Sequence, residues 1–238
     1  MSWDPGVSRR LMEFLAAASA ATLAAFDADG TLWSVDVGEA FLRWAGEEGK
    51  LKRWARGGAV WEEYQRRLDA GKVGQAFELC VTAFAGLRLD EVQAWARFYV
   101  DPRWKDYLFP PMRQLIQQLH RREAEVWVVS ASPSWVVEPA AALLEIPASR
   151  VIAAEPRVED GVIGEALAAP LPADASKVTA LVARAGRAPH IACGNSEHDY
   201  DLLESARSMA LLVNPPPGEG WLRRSGGEGW LVQRWRPR

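Results

Sequence analysis

The chain has 238 residues, 49% hydrophobic and 25% charged, which suits a globular protein of one large domain or a core with a smaller inserted module. Its 31 acidic and 28 basic residues leave a formal charge of −3, an argument against a dedicated nucleic-acid binder. No uninterrupted apolar run reaches the ~18–20 residues of a membrane span, and the cysteines Cys80 and Cys193 have no metal-type spacing, reading as reduced structural thiols of a cytoplasmic protein.

The segment "RRLMEFLAAASAATLAAF" superficially resembles a secretory signal. Glu13 interrupts its apolar region, and cleavage among the alanines would trim the strand that follows. The expectation is therefore a mature helix over residues 8–19 and a short buried strand at Thr22–Phe26. From Val37 to about Trp104 the pattern is helical only. "VGEAFLRWAGEEG", "AVWEEYQRRLDAG", "KVGQAFELCVTAFAG" and "RLDEVQAWARFYV" each repeat apolar residues at helical spacing and predict a small bundle of their own.

Strand and helix then alternate: a helix at Met112–Arg122, the strand "EVWVVS" (125–130), a helix over 134–144 and a strand at Val151–Ala153. "PRVEDGVIG" reads as a hairpin turning at "EDG". A helix at Lys177–Ala185, the strand "HIACGNS" (190–196), a helix at Glu197–Ala206 and the strand "MALLV" (209–213) follow, closed by "NPPPG". The basic end "RRSGGEGWLVQRWRPR" reads as a solvated tail containing one strand. The fold class is α/β: a Rossmann-like, mostly parallel sheet with helices on both faces and a small all-helical cap inserted after the first strand.

Ligands of such sheets collect beyond the strands' carboxyl ends. Three polar clusters fall there, "DADGT", "SASPS" and "GNSEHD". Paired carboxylates at a buried strand's end call for a cation. Beside Mg²⁺, Asp27 could attack phosphorus, and Asp29 could act as general acid and base, brought back to the site by a turn at Gly30. Each unit-charge repulsion at ~4 Å is worth about 4 kcal/mol at an effective dielectric near 20, so Mg²⁺ and Lys177 would have to offset it. Ser130 would donate to a phosphoryl oxygen, helped by backbone N–H groups at the next helix start. Asn195 offers a neutral oxygen to the metal, and Asp199 could hold metal-bound water or lock Lys177.

These motifs, in this order and spacing, resemble the haloacid dehalogenase-like phosphatases, from Thr22 to about Val213. The helical insert is similar to the cap of their phosphoserine phosphatase-like branch. The resemblance implies a core of residues 1–36 and 105–238 and a cap of 37–104, which would close over the site during reaction and reopen. It implies Asp27 as nucleophile and Mg²⁺ ligand, and Asp29 as acid/base whose backbone carbonyl also binds Mg²⁺. Ser130, Lys177, Gly30, Thr31 and Ala131 would bind phosphate, and Asn195 and Asp199 would complete the metal site. The family commonly has Asp where this chain has Asn195 and Gly where it has Ser176, so Mg²⁺ should bind more weakly here.

Asp36, nine residues after Asp27, stands where phosphoserine phosphatases have a Glu that meets the substrate amine; a helix cap is its other reading. Trp44, Trp54, Trp61, Tyr64, Trp95, Trp104 and Tyr107 could cage a choline-like cation, or form the core of the bundle and its seam with the main domain. His198 reads as a solvated histidine. The expected activity is Mg²⁺-dependent hydrolysis of a small phosphorylated metabolite, with phosphoserine or another phosphorylated amine as candidates, by a monomer or homodimer with no nucleic-acid or membrane partner. A low-turnover phosphate-ester-binding or regulatory protein, or a phosphotransferase, is the alternative.

Overall fold

The computed structural model describes residues 1–54, 58–101, 103–216 and 229–235. Six strands form one parallel sheet: β1 (Leu23–Phe26), β2 (Glu125–Pro133), β3 (Val151–Ala154), β6 (Ile191–Gly194), β7 (Met209–Val213) and β8 (Trp230–Gln233), in the order β3-β2-β1-β6-β7-β8. The residues of β1, β6 and β7 are buried throughout, as expected of strands covered on both faces. The chain builds outward from β1 through β2 to β3, then returns to the other side of β1 with β6. The switch between β1 and β6 opens a crevice at their carboxyl ends. The Asp27 amide extends that pairing by donating to the Cys193 carbonyl at 2.9 Å.

The helices are α1 (Pro5–Ala17), α2 (Val37–Glu47), α3 (Ala59–Asp69), α4 (Val73–Thr82), α5 (Leu89–Val100), α6 (Pro110–His120), α7 (Ser134–Ala142), α8 (Ala175–Ala185) and α9 (Tyr200–Glu204). Helix α1 starts earlier than its periodicity predicts, because Asp4 caps it by accepting the Gly6 amide and Pro5 takes the first helical position. The helix expected from Glu197 begins as a 3₁₀ turn, Glu197–Asp199, closed by reciprocal hydrogen bonds between Ser196 and Asp199. Strand β2 runs through the polar cluster "SAS" to Pro133, with a register shift between Val129 and Pro133 against β3. The hairpin is present as β4 (Pro156–Glu159) and β5 (Val162–Leu167).

One expectation is corrected. The tail is not simply solvated: β8 pairs in parallel with β7, and Trp235 packs on Trp3 at 5.0 Å and donates from Nε1 to the Ser2 carbonyl at 2.9 Å. The remainder of that tail lies outside the described residues. The insert is helical throughout α2–α5, and its apolar core continues into the main domain. Phe41 stacks on Phe84 at 5.4 Å, Phe84 meets Trp135 of α7 at 5.3 Å, and one apolar cluster runs from Phe26 to Val60 and Tyr64. The crossings into and out of the insert pair with each other, through Ser34 N to Tyr107 O at 3.0 Å and Phe109 N to Leu32 O at 2.9 Å. The hairpin β4–β5 ties to the turn between α4 and α5 through Gly86 N to Ile163 O (2.8 Å), Ile163 N to Leu87 O (2.9 Å) and Leu89 N to Gly161 O (2.9 Å).

A shared apolar core predicts shared unfolding. Trp135→Ala, which empties the seam between α7 and the insert, should cost about 3–5 kcal/mol and leave a single transition. Urea unfolding followed by far-UV dichroism and by tryptophan fluorescence checks this; two separated transitions in the unsubstituted protein would contradict it.

Candidate active site

A cavity of about 230 Å³ opens at the crevice between β1 and β6 and beneath the insert. Its core side is lined by Asp27, Asp29, Ser130, Ala131, Ser132, Lys177, Asn195, Ser196 and His198, and its insert side by Asp36, Glu39, Tyr64, Phe77 and Cys80.

Lys177, in the first turn of α8 and 2% exposed, places Nζ 2.6 Å from Asp27 Oδ1 and 2.6 Å from Asp199 Oδ1. Burial alone would strip the lysine of its proton, but the carboxylates of Asp199 and Asp27 outweigh it and hold the ammonium above its ordinary pKa. Burial, then the nearby Asp199 carboxylate, pushes Asp27 up to about 7 against the pull of Lys177. The second oxygen of Asp27 accepts the Thr31 hydroxyl at 2.8 Å.

Asp29 is fixed from three directions. Its Oδ1 accepts Trp33 Nε1 at 2.6 Å and the Val37 amide at 2.8 Å, and its Oδ2 accepts the Ser132 hydroxyl at 2.7 Å. Burial raises its pKa although these donors oppose the shift. Gly38 lets α2 approach β2 this closely: a Cβ there would lie 2.7 Å from Ser132 Oγ and 3.0 Å from Pro133 Cδ. Ser130 Oγ accepts the Ser132 amide at 3.1 Å and stands 3.5 Å from Asp29 Oδ2.

The structure thus brings Asp27, Asp29, Asp36, Ser130, Ala131, Lys177 and Asn195 to one cavity. It puts Gly30 and Thr31, expected to bind phosphate, to other use. Their amides close the turn, onto Trp33 O at 2.8 Å and Ala28 O at 3.2 Å, and the Thr31 hydroxyl is taken by Asp27. Gly30, at φ +75°, leaves room for Asn195, whose Nδ2 would lie 2.0 Å from a Cβ there. Of the two roles open to Asp199, its geometry matches locking Lys177. Its other oxygen accepts the Asn195 and Ser196 amides at 2.9 and 3.0 Å, and it does not line the cavity.

Asp36 caps α2 by accepting the Glu39 amide at 2.8 Å, and it also lines the cavity. Burial, then Asp29 and Glu39, raises its pKa well above the usual carboxylate range. Of the seven aromatics that could have formed a cage, Tyr64 alone lines the cavity; Trp44 and Trp95 flank Lys50 instead, at 5.2 and 4.5 Å. His198 is half-buried rather than solvated, with Nδ1 2.9 Å from Asp174 Oδ1 and its ring 5.6 Å from Phe77. Trp33, Glu39, Phe77 and Ser132 were not singled out by sequence; only the place of Ser132 in "SASPS" signalled it.

Among the described residues no group of three or more His, Cys, Asp or Glu side chains is placed to hold a metal. The Asn195 side chain, however, faces the cavity beside Asp27 and has no hydrogen-bond partner among the described residues. A carboxylate and a carboxamide oxygen suit a hard cation that keeps several waters. Lys177 is shared between Asp27 and Asp199, so one cation faces two carboxylates there and a second cation would complete the charge balance.

Three comparisons place this fold. The model of the haloacid dehalogenase-like hydrolase family matches residues 24–204. A Bordetella pertussis Tohama I protein of unknown function superposes with a TM-score of 0.76 at 21% identity, over 89% of this chain and 97% of that one. A phosphoserine phosphohydrolase-like protein from Francisella tularensis gives 0.57 at 19% identity, over 81% and 87%. A substrate-bound phosphoserine phosphatase gives 0.57 at 17% identity, over 88% and 92%. No protein of curated function matches the sequence.

Lys177→Met would leave Asp27 and Asp199 buried without their cation. Asp27 sits at about 7, above the ~3.9 of an unfolded aspartate, so the folded chain gains stability as pH falls from about 7 toward about 4 and loses it as pH rises through that window. The variant should lose about 3–5 kcal/mol of unfolding free energy at about pH 8 and less at about pH 5. Urea denaturation at the two pH values reads the difference; a pH-independent deficit contradicts the assignment.

Proposed function

The chain belongs to the haloacid dehalogenase-like hydrolase family, and from that premise we propose that it is a Mg²⁺-dependent phosphatase of small phosphate monoesters working through an aspartyl-phosphate. The observation that carries the reading is the pair of unlike carboxylates: Asp27 clamped by Lys177, and Asp29 held by Ser132, Trp33 and the Val37 amide at the same cavity.

In this reading an ionised Asp27 oxygen attacks phosphorus as the ester P–O bond breaks, and Asp29 gives its proton to the departing alkoxide. The raised pKa of Asp29 keeps that proton available. Asp29 then takes a proton from water, which attacks the aspartyl-phosphate; the P–O bond to Asp27 breaks and phosphate leaves. Ser130 and the Ala131 amide orient the phosphoryl oxygens, and Lys177 supplies fixed positive charge beside Asp27. Mg²⁺, when bound, supplies the charge that lets a carboxylate approach a phosphoryl dianion; Asp27, Asn195 and the Asp29 main-chain carbonyl would hold it, with Asp199 acting through Lys177 and the loop. Residues 37–104 act as the cap and 1–36 with 105–238 as the core.

Asn195 favours a second reading, a phosphate-ester-binding protein of low turnover, because a neutral ligand weakens cation binding. Two variants decide between them. Asp27→Asn should abolish Mg²⁺-dependent phosphate release from p-nitrophenyl phosphate. Asn195→Asp should lower the Mg²⁺ concentration for half-maximal rate by about tenfold, since ligand charge sets such affinities. Release unchanged in Asp27→Asn excludes the mechanism; no turnover at saturating Mg²⁺ favours the second reading.

A further inference from the structure

The cavity has two sides of different chemistry. An in-line displacement at phosphorus puts the leaving oxygen opposite the nucleophile. With Asp27 on the core side, whatever the phosphate is esterified to lies against α2, α3 and α4, facing Asp36, Glu39, Tyr64, Phe77 and Cys80.

Two of those side chains are carboxylates, each already oriented. Asp36 Oδ1 accepts the Glu39 amide, and Glu39 Oε1 accepts the Tyr64 hydroxyl. Among the described residues, Asp36 Oδ2 and Glu39 Oε2 have no hydrogen-bond partner. The Tyr64 and Phe77 rings and the Cys80 thiol complete that wall. Among the described residues no lysine or arginine lines it, and the cavity's one lysine is engaged by Asp27 and Asp199.

We propose, resting on the phosphatase reading above, that this cavity selects phosphate esters of small alcohols bearing a cationic nitrogen and no carboxylate, with Glu39 as a specificity-determining residue beside Asp36. A protonated amine on a two-carbon arm can donate to both free carboxylate oxygens and lie against the rings. A neutral polyol can hydrogen-bond to these groups but supplies no charge to hold them ionised. An α-amino acid ester adds a carboxylate where, among the described residues, no lysine or arginine of the wall balances it. Glu39 tests this better than Asp36, whose carboxylate also caps α2.

The experiment compares kcat/KM, at saturating Mg²⁺, for O-phosphoethanolamine, glycerol 3-phosphate, O-phospho-L-serine and p-nitrophenyl phosphate. Calorimetric titration of the Asp27→Asn protein with the first three gives binding without turnover. The ammonium ester should exceed both glycerol 3-phosphate and O-phosphoserine by about a hundredfold, and Glu39→Gln should cut the ammonium-to-glycerol ratio by about tenfold. O-phosphoserine or glycerol 3-phosphate equal to or better than O-phosphoethanolamine overturns the inference, as does an unchanged ratio in Glu39→Gln. Turnover of p-nitrophenyl phosphate in that case leaves the phosphatase reading standing. If no ester is hydrolysed, that reading fails and the titration decides: O-phosphoethanolamine bound at least about tenfold more tightly than O-phosphoserine supports the subsite, and equal, reversed or absent binding overturns it.

Discussion

One buried ammonium carries the site. The carboxyl ends of β1 and β6 deliver Asp27 and Asp199 into a region where either charge alone would be costly, and Lys177 reaches both at 2.6 Å. Its position follows from α8 starting at Ala175, which aims the first turn of that helix at the crevice. Because Asp199 also accepts the Asn195 and Ser196 amides, the lysine indirectly fixes the loop that presents Asn195. Moving this one cation would disturb Asp27 and the loop of Asn195 together.

The parts of the site legible in the sequence were those marked by local pattern. A buried apolar run ending in Asp27, and polar clusters after later strands, locate a crevice without coordinates. The same reasoning could not see which hydroxyl meets Asp29. Ser132 lies 103 positions away, and its donation depends on Gly38 allowing α2 against the end of β2. Nor could it tell that the turn amides of Gly30 and Thr31 are already engaged, since a phosphate-binding loop and a self-closed turn have the same composition. Glu39 escaped because a glutamate in a first helical turn reads as a favourable helix-end charge, and only its Tyr64 partner on another helix turns it toward the cavity.

The helical insert shows where periodicity falls short. Amphipathic spacing identified its four helices, but spacing reports that a face is buried and not against what. Here the apolar faces are shared with the sheet's own cover through Phe41, Phe84 and Trp135. The aromatic richness that could have signalled a ligand cage is largely spent on this seam.

The hydrogen bonds from the β4–β5 hairpin to the turn at residues 86–89 constrain how far the insert can move. A lid joined only by two adjacent crossings would swing as a body. This one is also strapped by three main-chain bonds to a hairpin of the core, so a wide swing must either break them or drag the hairpin along. Away from that strap, the Phe77 ring of the insert rests edge-on against His198 of the core, a side-chain contact with no main-chain bond joining the two segments there among the described residues. Rotamer changes at such a contact are much faster than displacement of a helical layer, so the two edges of the insert differ in how readily they yield.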